Sequence, residues 1–70
     1  MGWVWCLHCQ RAFRDDEYRV DQNYRWCAYE DCGGMAPFDM VDWRDIRLIC
    51  PQYPETPEPG RVYGLPATIP

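Results

Sequence analysis

The chain contains no lysine, no serine and one histidine. Without lysine there is no phosphate-binding loop, no Schiff-base amine and no lysine general base. Without serine, a Ser-His-Asp triad cannot be assembled. No stretch approaches the ~20 apolar residues of a membrane span. The opening Met1-Gly2-Trp3-Val4-Trp5-Cys6 lacks the basic start and long apolar run of a secretory leader. Cys6 also stands where a myristoylation signal carries Ser or Thr. The expectation is a soluble, cytoplasmic protein whose thiols stay reduced.

Size is also in short supply. Seventy residues make one small domain, and a domain near this size buries only about 60% of its unfolded surface. Such folds usually need a staple. Four tryptophans and a 47% apolar fraction argue against disorder and for a true core. All seven basic residues are arginine, and the formal charge is −4. Four thiolates with one divalent cation bring it to about −6. That balance argues against a general nucleic-acid coat, which draws its affinity from clustered Lys and Arg.

The staple is visible as two cysteine pairs. Cys6-Leu7-His8-Cys9 and Cys27-Ala28-Tyr29-Glu30-Asp31-Cys32 are separated by 17 residues. A C-x2-C turn aims two sulfurs at one centre, and the insert is long enough to run out as a strand and return. Four thiolates suit one structural zinc ion, with iron, disulfides and unliganded thiols as the alternatives. Cys6, Cys9, Cys27 and Cys32 are the candidate ligands, and zinc the expected cofactor. His8 reads as an exposed knuckle residue before a ligand, and Cys50 as a buried small hydrophobe.

Trp5-Cys6-Leu7-His8-Cys9 and Trp26-Cys27 to Cys32-Gly33-Gly34 resemble the zinc ribbons and related four-cysteine zinc fingers. The likeness spans about residues 3–34. It implies metal knuckles on β-hairpins, with the same four cysteines as ligands. The second knuckle departs from it, with four intervening residues where two are typical. A treble-clef-like variant therefore stays open.

The rest of the chain reads as a small α+β fold with antiparallel hairpins. Strands are expected at Trp3-Val4-Trp5, at Arg11-Ala12-Phe13-Arg14 with Phe13 inward, at Tyr18-Arg19-Val20 and at Tyr24-Arg25-Trp26. Asp15-Asp16-Glu17 and Asp21-Gln22-Asn23 read as turns. Gly33-Gly34 permits a left-handed turn around the metal. One C-terminal helix is expected from about 39 to 49, capped by Asp39 and ended before Pro51. The domain then occupies 1–50. Residues 51–70 hold six of the seven prolines and read as an extended tail that Tyr53 and Tyr63 can pin down.

No enzyme is expected. Four thiolates close a metal site to substrate. Cys6-Leu7-His8-Cys9 matches the disulfide-isomerase motif only superficially, since that chemistry uses a thioredoxin-type βαβ unit. Two functions remain. A protein-interaction module or small subunit of an assembly would use exposed aromatics, here Trp3, Trp5, Trp43, Tyr53 and Tyr63. A nucleic-acid-binding ribbon would use Arg11, Arg14, Arg19 and Arg25 with interleaved Phe13, Tyr18, Tyr24 and Trp26. Acidic residues make residues 1–25 neutral overall, which favours the first.

Overall fold

The computed structural model describes residues 2–65. Five short strands and one helix follow in order: β1 Trp3–Cys6, β2 Ala12–Arg14, β3 Arg19–Asp21, β4 Tyr24–Trp26, β5 Met40–Asp42 and α1 Trp43–Ile49. Two antiparallel sheets result, one ordered β2-β1-β5 and the other a β3-β4 hairpin.

The alternation of β1 organises the molecule. Successive side chains of a strand point to opposite faces. Trp3 and Trp5 therefore pack with Ala12, Val41, Trp43, Ile46, Tyr53 and Tyr63. Val4 and Cys6 pack on the other face with Phe13, Met40 and the remaining knuckle cysteines. β1 is thus buried on both sides, between an aromatic core and a cysteine core. Partners on both edges complete its backbone pairing, Trp5 facing Ala12 on β2 and Val41 on β5.

That pairing corrects the expected helix. Met40-Val41-Asp42 joins the sheet, so the helix begins four residues later, at Trp43. Its cap is Asp42, whose side chain accepts from Arg44 N. Asp39 stays in the preceding loop. It accepts from Met35 N at 3.0 Å, and its carbonyl accepts from Leu7 N at 2.7 Å. The hairpin turn falls where it was expected: Gln22 and Asn23 both take positive φ, 52° and 67°. That is the left-handed pair of a two-residue I′ turn, whose twist matches the flanking strands.

Beyond residue 50 the described chain packs back onto the rest of the fold. Residues 51–65 close over the aromatic face, and Pro57 and Tyr63 are buried. Trp5 Nε1 donates to the Tyr63 carbonyl at 2.9 Å, and Trp43 Nε1 to that of Pro54 at 3.0 Å. Tyr63 N donates to Gln10 O at 2.7 Å. The Tyr53 hydroxyl donates to Gly64 O. Residues 66–70 of the expected tail lie outside the described residues.

Three of the five aromatics expected on a partner surface are therefore core. Trp5 is fully buried, and Trp43 and Tyr63 nearly so, while Trp3 and Tyr53 are half-buried against them. Energetics explain the correction. A large aromatic buries about 150–250 Å², worth about 4–6 kcal/mol as an upper bound. A chain with two phenylalanines must build its core from indoles and phenols.

Candidate metal centre

Each knuckle is a closed backbone loop. In the first, Gln10 N donates to Cys6 O at 2.7 Å and Cys6 N to Arg11 O at 3.0 Å. Reversing the chain so tightly puts Gln10 at φ 61°, in the left-handed region. In the second, Cys27 N donates to Gly34 O at 2.8 Å and Cys32 N to Tyr29 O at 3.0 Å.

The four sulfurs lie within 4.8 Å of one another. Cys6 and Cys32 Sγ are 3.6 Å apart, and Cys9 and Cys27 Sγ 3.7 Å apart. A tetrahedral thiolate site with metal–sulfur bonds of about 2.3 Å has sulfur–sulfur edges near 3.8 Å. These two pairs, each crossing from one knuckle to the other, match that edge. They lie far beyond the roughly 2.05 Å of a disulfide bond. All five cysteines are free. The set can hold one metal ion.

Electrostatics point the same way. Burial pushes the Cys6 thiol from an ordinary 9.0 to about 11 and drives Cys27 upward as well. At Cys9 burial acts in the same direction. Hydrogen bonds from the Arg11 side chain and backbone and from the neighbouring thiols outweigh it, so Cys9 falls below its ordinary value. Crowded buried thiols resist ionisation unless a cation sits among them, and a metal ion supplies that cation.

The surroundings are built toward the sulfurs. Gly34 N donates to Cys32 Sγ at 3.3 Å, and His8 Nδ1 lies 3.4 Å from the same sulfur. His8 thus touches a ligand sulfur and is not itself in the metal-holding set. Gly34 is required for space: a Cβ there would stand 2.7 Å from Cys6 Sγ. Neither Gly33 nor Gly34 takes positive φ; Gln10 supplies the left-handed turn instead.

The four arginines proposed for nucleic acid do not converge on one face. Arg19 Nε donates to Cys27 O at 2.7 Å, and its NH2 donates to Cys32 O at 2.9 Å and Tyr29 O at 3.2 Å. One guanidinium fork thus closes the long second knuckle. Arg11 pairs with Asp31 and lies over the Tyr29 ring. Arg14 rests over Trp3, and Arg25 over Tyr18 at 4.9 Å. Register puts Arg19 opposite Trp26 and Arg25 opposite Val20, hence on opposite faces of the hairpin.

Sequence reasoning missed Arg19 and Tyr29 as supports of the site. The Tyr29 hydroxyl donates to Ala12 O at 2.6 Å and accepts from Gly60 N at 2.7 Å. It ties the second knuckle to both β2 and the closing segment. The signal that was available was the C-x4-C spacing, too wide to hold itself without an inserted partner. Cys50 is buried, as its place on the helix stripe indicated.

No protein-family model, curated protein or solved structure matches the chain. What defines it is a small α+β fold of antiparallel hairpins with one short helix and a four-cysteine cluster placed for a metal ion. No described helix is long and apolar enough to cross a membrane.

Proposed function

We propose that the chain is a non-catalytic, zinc-ribbon-like module whose single zinc ion is structural. In this reading it acts in protein–protein interaction or as a small subunit of a larger assembly. The carrying observation is the set of four cysteine sulfurs, three of them buried, all within 4.8 Å of one another. Zinc is preferred to iron because its structural sites accept variable ligand spacing, whereas the simple four-thiolate iron site normally uses two C-x2-C knuckles. Four protein ligands leave no position for substrate, which supports a structural ion. A cytoplasmic location follows from the need for reduced thiols.

The interaction surface moves away from the tryptophans. Phe38 is 78% exposed, Leu48 81% and Val20 73%, with Leu7 and Tyr24 each more than half exposed. These residues support a partner-binding role, and Leu7 projects from the first metal knuckle itself. The nucleic-acid alternative has less to draw on, since Arg11 is paired with Asp31 and Arg19 is committed to the carbonyls of the second knuckle.

Metal analysis of purified protein should give one zinc per chain, and a strong chelator should abolish the cooperative thermal transition. A metal-free preparation with an unchanged melting curve overturns the zinc reading. Native purification should return the chain in a complex, and recovery solely as free monomer overturns the interaction reading.

A further inference from the structure

The four ligand positions are not equivalent. Cys6, Cys27 and Cys32 are buried, whereas Cys9 is half-buried and the most accessible of the four. The Cys6–Cys32 edge is wrapped: the Gly34 backbone crowds Cys6 Sγ, while Gly34 N and His8 Nδ1 both contact Cys32 Sγ. The Cys9–Cys27 edge, at 3.7 Å, has Arg11 beside it and reaches solvent through the half-buried Cys9.

We propose that Cys9 is a site of reversible oxidation by hydroperoxides, with Cys27 as its resolving partner and metal release as the consequence. The inference rests on the metal-centre reading above. The Cys9 thiolate attacks one peroxide oxygen and the O–O bond breaks. Cys9 becomes a sulfenic acid, oxidised by two electrons, and the peroxide, reduced by two, departs as hydroxide. The Cys27 thiolate, already at near-contact distance, attacks the Cys9 sulfur. The S–S bond forms and a second hydroxide leaves. Two protons from the conjugate acid of the buffer convert both hydroxides to water. The ion has then lost two of four thiolates and dissociates. A dithiol reductant returns the two electrons and restores the site.

The order of events is set by access, since thiolate oxidation follows exposure. Cys27 is placed to resolve Cys9 because its Sγ lies 3.7 Å from Cys9 Sγ, across the knuckles.

The test uses the full metal-loaded chain. Hydrogen peroxide is added, zinc release is followed with a chromogenic chelator, and linked thiols are mapped by differential alkylation and tandem mass spectrometry. One zinc should be released with formation of a Cys9–Cys27 link, and a dithiol should reverse both. Cys9→His, which keeps a zinc-ligating side chain, should release metal at least tenfold more slowly, while Cys50→Ala should behave as wild type. A first link between Cys6 and Cys32 or between Cys6 and Cys9, or equal release from Cys9→His, overturns the proposal. If Cys9→His fails to load metal, the link map of the unaltered chain decides alone. Absence of zinc before any oxidant is added defeats the metal reading instead, so the two failures are distinguishable.

Discussion

At the scale of single residues, two adjacent glycines separate two uses of the same amino acid. Gly34 gives the backbone room to pass a ligand sulfur, since a Cβ would sit 2.7 Å from Cys6 Sγ, whereas a Cβ on Gly33 would meet nothing within 4 Å. Neither position needs positive φ, so alanine at either tests space alone. Gly34→Ala should cost about 1–3 kcal/mol, the usual range for overpacking, and lower metal affinity by the corresponding factor of about 5–150. Gly33→Ala should change affinity less than twofold. Competition titration against a chelating dye measures both. Equal behaviour of the two variants would contradict the close approach. From the sequence, the pair read as a left-handed turn after the last cysteine, which neither glycine makes; which glycine mattered, and why, required the sulfur's position.

Among the elements, the hairpin β3–β4 does more for the metal centre than its sequence suggested. Its arginines read as a nucleic-acid surface because alternation with aromatics is what such a surface would show. Alternation cannot say which face turns inward, and the inward one carries Arg19 onto three carbonyls of the second knuckle. Four of the five strands and both turns were readable because period-2 patterns and turn residues are local signals. The helix start was not, because Met40-Val41-Asp42 is claimed by β1, a pairing across more than 30 residues that overrides local preference. Removing supports that orient ligands typically lowers metal affinity by about 10–100-fold. Arg19→Ala should fall in that range. Arg14→Ala, whose guanidinium lies over Trp3 and away from the knuckles, should leave affinity unchanged. If both variants bind metal like the parent, the hairpin does not support the site.

For the whole molecule, one strand joins two cores, so the metal centre and the aromatic cluster stand or fall together. Cys6 and Trp5 are neighbours on β1, and Gln10 and Tyr29 carry the first and second knuckles to the closing segment at Tyr63 and Gly60. This coupling gives stability opposite pH dependences with and without metal. In the metal-free fold, burial holds Cys6 near 11 against an ordinary 9.0, and Cys27 higher than its ordinary value too. A raised folded pKa leaves stability intact below about pH 9 and removes it as pH climbs toward 11, because the unfolded chain sheds protons that the folded one retains. In the metal-bound fold the thiolates are held ionised by the cation. Their folded pKa values are then depressed, and stability is lost as pH falls and protons compete for sulfur. Thermal melts between pH 5 and 10 should therefore show the loaded protein weakening toward acid and the metal-free protein, where it folds, weakening toward alkali. The metal-free protein should also release protons to the solution when metal is added at pH 7, measurable in a weakly buffered titration. Melting curves of the same pH slope with and without metal, or metal uptake with no proton release, would show that the cysteines are not the ligands.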